Sequence, residues 1–282
     1  MASSPSEGMV AVVTGSSSGI GYETVLALAR NGFTTFATIR NLGKAGQIES
    51  VASKEKLPIH VVQLDVTDDA SVQNAIQEVM KKAGRIDVVV NNAAYGLTGA
   101  FEDLSIEEIK TQYETNFYGV IRVTQAILPI MRKQGSGRIV NISSGAGRFG
   151  YPGGSAYVST KFALEGLSES MAYELEPFGI KVVLVEPGVI RTNFGSSMIL
   201  AKRAQNPSSP YSQMMQRMGT SFEQLQKNAS DPDLVANIVL QAATSQNPEL
   251  RYLAGKDVEA WVESKRKLSD AEFINSMKQI MK

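Results

Sequence analysis

The sequence predicts an α/β fold, a doubly wound and mostly parallel sheet of the Rossmann type, in a single domain over residues 1–282. Short runs of Val, Ile and Leu alternate with stretches of helical periodicity, which is typical of a parallel sheet covered by helices on both faces. A glycine-rich segment joins the first apolar run to the first helix. The length of 282 residues also lies within the range that one large α/β domain reaches.

The predicted elements follow one another in a regular order. Each strand is a short apolar run, the first helix is ended by Gly32, and the start of a later helix is marked by Thr67 and Asp68. The strands are predicted over residues 9–14, 33–39, 59–66, 85–93, 137–144 and 179–188. The helices are predicted over residues 19–32, after Asp69, over about 105–132, and around Tyr157.

The pattern changes at residues 192–230, a polar segment that contains Met198, Met214, Met215 and Met218. It follows the end of a strand, where α/β proteins bind ligands, so we interpret it as a mobile lid whose Met side chains contact an apolar substrate. The alternative is a surface excursion. Beyond it we expect a helix over about 231–244, a strand near 251–254, and a helical tail at 257–282.

The composition argues against several classes of protein. The formal net charge is zero, whereas a nucleic-acid binder needs a basic excess. The chain has no Cys and a single His, so no His/Cys metal site can be built, and we interpret His60 as a half-buried strand residue. No apolar stretch is long enough for a membrane span, and the first residues lack a secretory signal. We expect a cytoplasmic enzyme without a metal.

The segment VVTGSSSGIG is a candidate phosphate-binding turn. Gly15, Gly19 and Gly21 would let the backbone turn tightly and approach a pyrophosphate at the N-terminus of the first helix. The spacing differs from the usual G-x-G-x-x-G fingerprint, and a glycine-rich loop alone is weak evidence. Its position between the first strand and the first helix is what indicates a dinucleotide cofactor.

The end of the second strand, FATIRN, indicates which cofactor is bound. An NAD site places an Asp or Glu there, whereas an NADP site places an Arg. The segment has no carboxylate, and Arg40 begins the loop, so we predict NADP (NADPH) rather than NAD. Lys44 could assist, and the alternative is a solvated surface arginine.

Several motifs in one order resemble the short-chain dehydrogenase/reductase family, in its short soluble branch. They are TGSSSGIG at 14–21, LDV at 64–66, NNAA at 91–94, Asn116, ISS at 142–144, YVSTK at 157–161 and PGVIRT at 187–192. The resemblance covers about residues 8–255. Ala94 departs from the family's frequent NNAG and puts the shape of the substrate in question.

The resemblance implies two sets of residues. The catalytic set is Asn116, Ser144, Tyr157 and Lys161, with Ser144 preferred over Ser143 because it lies thirteen residues before Tyr157. The same likeness implies that Tyr157 and Lys161 also contact the cofactor, that Asp65 and Val66 flank the adenine, that Asn92 bridges to the cofactor region, and that Thr192 binds the carboxamide. It extends the cofactor set to Ser17, Ile20, Pro187 and Val189.

The spacing of Tyr157 and Lys161 fits proton transfer. Four helical residues turn about 400°, so both side chains project from one face. A positive charge near the phenol would lower its pKa toward neutrality and make it a general acid or base. Tyr252 and Lys256 have the same spacing, but Gly255 interrupts any helix between them. We therefore assign the site to the first pair.

These observations favour an NADP-dependent carbonyl reductase or alcohol dehydrogenase. The Met-rich segment suggests a lipophilic small molecule, steroid-like or retinoid-like. The alternatives are reduction of a 3-oxoacyl group on a carrier protein and a non-catalytic NADP-binding regulator. The helix after Tyr157 also carries Phe162, Leu164, Leu167 and Met171, which cannot all face one sheet, so we expect a homodimer or homotetramer, as in the family.

Overall fold

The computed structural model describes Ser6, residues 8–195 and residues 198–280. The strands within this part of the chain are β1 Val10–Val13, β2 Thr34–Ile39, β3 Ile59–Gln63, β4 Val88–Asn91, β5 Leu97–Thr98, β6 Gly137–Ile142, β7 Ile180–Pro187, β8 Ile199–Leu200 and β9 Arg251–Ala254. The helices are α1 Gly19–Arg30, α2 Gly46–Glu55, α3 Asp69–Ala83, α4 Ile106–Tyr113, α5 Gly119–Gln134, α6 Ser155–Leu175, α7 Ser212–Lys227, α8 Pro232–Thr244, α9 Lys256–Lys267 and α10 Asp270–Ile280.

Seven of the strands form one parallel sheet in the order β3-β2-β1-β4-β6-β7-β9. The chain first builds outward from β1 to β3 and then returns to add β4 on the other side of β1. Strand order therefore reverses between β1 and β4, where a doubly wound sheet leaves a crevice for a ligand. The predicted fold class is confirmed.

Each face of the sheet carries its own apolar core. Val12 and Val89 pair in register and point to the face covered by α3 and α5, whereas Val13 and Val90 point to the face covered by α1 and α8. Successive residues of a strand face opposite sides, so a strand buried on both must be apolar throughout. This requirement is why the strands could be recognised as continuous Val and Ile runs.

Some local predictions were wrong or incomplete. The helix expected over 105–132 is interrupted by a π-helical turn at Glu114–Tyr118, which separates α4 from α5. Helix α2 was not predicted, and the segment 192–230 contains helix α7 and the short strand β8, which pairs with β5. His60 is exposed on the edge strand β3 rather than half-buried, and its ring lies 5.0 Å from that of Phe36.

The carboxyl ends of the strands bring the predicted site together. Gly15 follows β1, Asn92 follows β4, Ser144 follows β6 and Val189 follows β7. Parallel strands end at the same edge of a sheet, so these residues meet there. None of the helices in the described ranges combines the length and the apolarity that crossing a membrane requires.

Candidate active site

A large cleft opens along this edge of the sheet. Its volume is about 1480 Å³, and its lining includes both the glycine-rich turn and the Tyr157–Lys161 pair. Within the described residues, fourteen positions of the predicted site line it: Gly15, Ser17, Gly19, Ile20, Arg40, Asp65, Val66, Asn92, Ser144, Tyr157, Lys161, Pro187, Val189 and Thr192. Gly21 and Asn116 do not line the cleft themselves, but they contact residues that do, Gly21 against Asn92 and Asn116 against Tyr95.

The glycine-rich turn packs tightly against the end of β4. Gly15 has a φ of +68°, and a Cβ there would lie 2.8 Å from the Ala93 Cα atom. The Asn92 amide nitrogen donates to the carbonyl oxygens of Thr14, at 2.9 Å, and Gly15, at 3.1 Å. A Cβ at Gly21 would lie 2.5 Å from that amide nitrogen. The turn therefore needs glycines to sit this close to Asn92, which joins β4 to β1.

Two cations stand at the far end of the cleft, beyond β2. Arg40 and Lys44 both line it, and Arg40 is exposed and forms no ion pair with any residue of the described ranges. Asp65 lines the cleft nearby, and its Oδ1 accepts hydrogen bonds from the Thr67 amide at 2.9 Å and the Thr67 hydroxyl at 2.7 Å. Val66 is buried beside it. This end of the cleft thus offers positive charge and an apolar surface together.

Helix α6 presents Tyr157 and Lys161 from one face, as its periodicity requires. Both are buried, and the Lys161 ammonium nitrogen lies 5.6 Å from the centre of the Tyr157 ring. That nitrogen donates to the carbonyl oxygen of Ile142, the last residue of β6, at 2.8 Å. The Ser144 hydroxyl shares a hydrogen bond with Tyr157. Tyr157 and Ser144 are therefore hydrogen-bonded to each other in the cleft, and the Lys161 ammonium lies beside the Tyr157 ring.

Burial dominates the protonation of this pair. It raises the pKa of Tyr157 to about 12, although the hydrogen bond to Ser144 lowers it in part. It lowers the pKa of Lys161 to about 8, while the charge of Glu165 acts in the opposite direction. The expectation that Lys161 would bring the phenol's pKa toward neutrality was wrong for the protein without a cofactor. The removal of the phenol from water outweighs a charge 5.6 Å from the ring centre.

Asn116 lies in the π-helical turn and is buried. Its Oδ1 accepts from the Tyr95 amide at 3.1 Å, and its Nδ2 donates to the Tyr95 carbonyl oxygen at 2.9 Å. Both polar atoms of the side chain are thus engaged with the segment after β4. A weaker contact of 3.4 Å reaches the Thr160 hydroxyl on α6. Asn116 joins three elements around the site, and its predicted role toward a water molecule stays a prediction.

A buried charge network lies directly behind the segment after β6 that carries Ser143 and Ser144. Glu165, one turn after Lys161, accepts from the Ser143 hydroxyl at 2.5 Å and from Arg251 at 2.9 Å. Glu186 is fully buried and accepts from Arg148 at 3.0 Å. Burial and the nearby Glu165 raise the pKa of Glu186, against the effect of Arg148. No single stretch of the sequence indicates this network, because its members come from four separate segments.

The lid segment and the tail form the apolar wall of the cleft. Met198, Met215 and Met218 line it as predicted from their segment, whereas Met214 does not. The Phe194 ring lies 5.8 Å from that of Tyr157. The tail contributes Trp261 from α9 and Met277 from α10. No sequence signal connected these last two side chains with the site.

The arrangement fits a dinucleotide. A Cβ at Gly19 would lie 3.2 Å from the Thr192 side chain, so the glycine keeps open a cradle between the first turn and the loop after β7. Arg40, Lys44 and Tyr157 line the same cleft as this cradle. In the described part of the chain, no group of three or more His, Asp and Glu side chains is placed to hold a metal ion.

Known proteins share this pattern. A family model described as short chain dehydrogenase matches residues 9–203. The chain is 41% identical over 250 residues to the oxidoreductase BOA17 of Botryotinia fuckeliana, covering 87% of this chain and 88% of the relative. It is 34% identical over 252 residues to human 17-beta-hydroxysteroid dehydrogenase type 1, covering 86% and 76%. It is 35% identical over 249 residues to retinol dehydrogenase 8 of Bos taurus, covering 85% and 79%.

Solved structures show the same architecture. A short-chain dehydrogenase from Streptomyces avermitilis superposes with a TM-score of 0.81 at 34% identity, over 96% of this chain and 97% of the other. A metagenomic short-chain oxidoreductase in complex with NADP superposes with a TM-score of 0.71 at 27% identity, over 89% and 98%.

Proposed function

The chain belongs to the short-chain dehydrogenase family, and from this premise we propose that it transfers a hydride between NADP(H) and a carbonyl or alcohol group of a lipophilic molecule. It is an oxidoreductase acting on alcohol or carbonyl groups; the cofactor and the substrate class are the proposed part. The observation that carries the proposal is the Tyr157, Ser144 and Lys161 group at the floor of a cleft that begins at the glycine-rich turn.

The side chains at the floor divide the work of proton transfer. NADP(H), when bound, supplies or accepts the hydride. Burial keeps Tyr157 neutral, so its hydroxyl is suited to donate a proton to the carbonyl oxygen of the substrate. Ser144, hydrogen-bonded to Tyr157, is suited to hold the same oxygen as negative charge develops. Lys161 is a buried cation at neutral pH, and its charge favours a negatively charged intermediate nearby.

Arg40 and Lys44 support the choice of NADP over NAD. Both are cations lining the end of the cleft that follows β2, where the ribose 2′ substituent is recognised in this type of fold. A related structure was solved with NADP, which agrees with this choice. Because a charge-assisted hydrogen bond contributes about 1.5–3 kcal/mol, Arg40→Ala should weaken NADPH binding by roughly ten- to a hundredfold and leave NADH nearly unchanged.

Titrating wild type and Arg40→Ala with both cofactors at one salt concentration measures this preference. Equal binding of NADH and NADPH by the wild type, or an equal loss of both in the variant, would overturn the proposed 2′-phosphate contact. The glycine-rich turn would still bind a dinucleotide in either case.

The wall of the cleft supports a lipophilic substrate. Phe194, Met215, Met218 and Trp261 line the same cleft as Tyr157, and the Phe194 ring lies 5.8 Å from the Tyr157 ring. Relatives named for hydroxysteroid and retinol dehydrogenation act on molecules of the same apolar kind. Steroid-like and retinoid-like alcohols and ketones are therefore the first class to examine, and 3-oxoacyl thioesters are the alternative.

Tyr157→Phe tests the catalytic assignment. Removing the phenol hydroxyl should lower turnover by at least about a hundredfold, which is the usual share of a positioned proton donor, and leave NADPH affinity nearly intact. Tyr252→Phe is the matched control, because Tyr252 lies in β9 and its hydroxyl accepts from the Glu249 amide at 3.0 Å. Wild-type turnover in Tyr157→Phe would refute the assignment.

A screen of NADPH oxidation against steroid ketones, retinal and 3-oxoacyl thioesters separates the substrate classes. Turnover of thioesters alone would favour the carrier-protein alternative. Binding of NADPH without turnover of any class would favour the non-catalytic regulator.

Association into a homo-oligomer stays a prediction. Leu164, Leu167 and Met171 pack within their own subunit, but Phe162 and Tyr173 are 47% and 74% exposed. The two positions are eleven residue steps apart, a rotation of about 1100°, which places both on one side of α6. We expect a dimer or tetramer by light scattering, and a monomer would contradict this. A cytoplasmic location likewise stays a prediction.

A further inference from the structure

The loop after β7 is held by a residue of the C-terminal tail. Asp257 lies in the first turn of α9, and its Oδ2 accepts a hydrogen bond from the Val189 amide at 2.7 Å. One residue earlier, the Gly188 amide still donates to the Ala254 carbonyl oxygen at 3.1 Å, which continues the pairing of β7 with β9. The carboxylate thus takes over as the partner of the backbone where the strand ladder stops.

Two glycines shape the space around this carboxylate. A Cβ at Gly188 would lie 2.2 Å from Asp257 Oδ1, and a Cβ at Gly255 would lie 2.5 Å from the same atom. Gly255 also has a φ of +132°, which other residues rarely adopt. A carboxylate in the first turn of a helix is stabilised by the unpaired amides and the dipole at that end. The position of Asp257 is therefore fixed from its own helix and from the β7 loop.

The loop that Asp257 holds belongs to the cleft. Pro187, Val189 and Thr192 all line it, and Thr192 faces Gly19 across the cradle. Four residues after Asp257, and so on the same side of α9, Trp261 lines the apolar part of the cleft. One short helix thus contacts both the cofactor side and the substrate side.

We propose that Asp257 is a positioning residue that fixes the 187–192 loop against the nicotinamide half of NADP(H). The inference rests on the proposed function, because it needs a cofactor whose nicotinamide end lies at this loop. Without the carboxylate the Val189 amide loses its acceptor, and the loop is held only from its other side, where the Val189 carbonyl oxygen and the Arg191 amide pair with Ser230. The 2′-phosphate end, which lies at Arg40, has no contact with α9 in this scheme.

The test compares the two ends of the cofactor by binding rather than by activity. Asp257→Ala should weaken NADPH binding about tenfold or more and leave the Kd for 2′,5′-ADP, which lacks the nicotinamide half, within about twofold of wild type. Asp257→Asn keeps an acceptor oxygen and should recover most of the NADPH affinity. Glu259→Ala is the matched control, because Glu259 is an exposed acid in the same helical turn.

A second variant keeps the test decisive if Asp257→Ala folds poorly. Gly188→Ala places a methyl group where the carboxylate lies, and it should reproduce the selective loss of NADPH over 2′,5′-ADP. Unchanged NADPH binding in both variants would overturn the inference, as would a parallel loss of NADPH and 2′,5′-ADP. If the wild type bound neither ligand, the proposed function itself would fail, which is a different result from wild-type binding that is insensitive to Asp257.

Discussion

Replacing Glu165 with Gln perturbs the buried network behind Lys161 with little change in side-chain volume. The Glu165 side chain is 8% exposed and accepts from Ser143 at 2.5 Å and from Arg251 at 2.9 Å. Gln has one oxygen and no charge, so it cannot accept from both partners at full strength. Arg251 loses one carboxylate partner but keeps two others, Glu186 at 3.5 Å and Glu169 at 2.6 Å.

The loss in the free energy of unfolding depends on which partners of Arg251 remain. Removing one member of a buried ion pair costs about 3–5 kcal/mol when the other charge is left alone. Because Arg251 keeps two carboxylates and is 28% exposed, we expect a loss of about 2–3 kcal/mol in the free energy of unfolding. Glu169→Gln removes the half-exposed partner of the same arginine, and exposed pairs are worth only about 0–1 kcal/mol.

Urea unfolding of the two variants and the wild type at neutral pH measures this difference. The linear extrapolation gives the free energy of unfolding, and a constant slope shows that the folded and unfolded states have not changed in compactness. Equal losses in Glu165→Gln and Glu169→Gln, within about 0.5 kcal/mol, would refute the reasoning, because burial would then not decide the cost.

Glu165→Gln should also change the titration of Lys161. Burial lowers the pKa of Lys161 to about 8, and the Glu165 charge opposes that shift. Removing the charge should lower the pKa further, so the ammonium would lose its proton at a lower pH. The alkaline fall of kcat/KM for carbonyl reduction should therefore move to lower pH in Glu165→Gln and stay in place in Glu169→Gln.

Three further predictions follow from individual contacts. Gly21→Ala should weaken NADPH binding at least about tenfold, because the new methyl would lie 2.5 Å from the Asn92 amide nitrogen. A fluorescence titration measures this, with Gly166→Ala as the control because a Cβ there would have nothing within 4 Å. Wild-type affinity in Gly21→Ala would contradict the packing argument. Trp261 is the single tryptophan of the chain and lines the cleft, so its emission should change when an apolar ketone binds and not when 2′,5′-ADP binds. In the protein without cofactor, Tyr157 should stay neutral below about pH 11, so the absorbance of wild type minus Tyr157→Phe should show no phenolate until that pH is passed.

The parts of the fold that the sequence could predict are those in which burial dictates composition. A parallel strand covered on both faces has to be apolar at every position, so Val10–Val13 and Ile180–Pro187 were recognisable as runs. Their carboxyl ends must meet at one edge, which is why side chains far apart in the chain could be assigned to one cleft.

Elements with little burial were beyond such reasoning. Helix α2 buries a single residue of its ten, Ile48, and therefore has no apolar stripe with helical period. Helix α7 in the lid was missed although Met215, Met218, Phe222 and Leu225 have helical spacing and line the cleft, because none of them is fully buried and the surrounding segment is polar. Strands β5 and β8 have two residues each and pair across about a hundred positions, as Leu97 with Ile199, a contact that no local pattern encodes.

The site shows the same division between local and distant information. Tyr157 and Lys161 share a helix, so their spacing determined their common face. Asp257 and Trp261 lie in a tail outside the matched family region, and they reach the cleft only because β9 adds to the sheet beside β7 and delivers α9 to that edge. Their roles depend on the order of strands, which the sequence did not specify.

The charge on Tyr157 was misjudged for a related reason. The helical spacing gives the direction of Lys161 but not its partner, and the ammonium donates to the Ile142 carbonyl oxygen rather than pointing at the phenol oxygen alone. With the phenol buried, the neutral form is favoured and the pKa rises to about 12. A neutral Tyr157 is ready to donate a proton in carbonyl reduction, whereas alcohol oxidation first needs the phenolate. An oxidised nicotinamide ring carries a positive charge that would favour the phenolate when bound nearby, so the pH dependence of the two directions should differ, with oxidation alone rising toward alkaline pH.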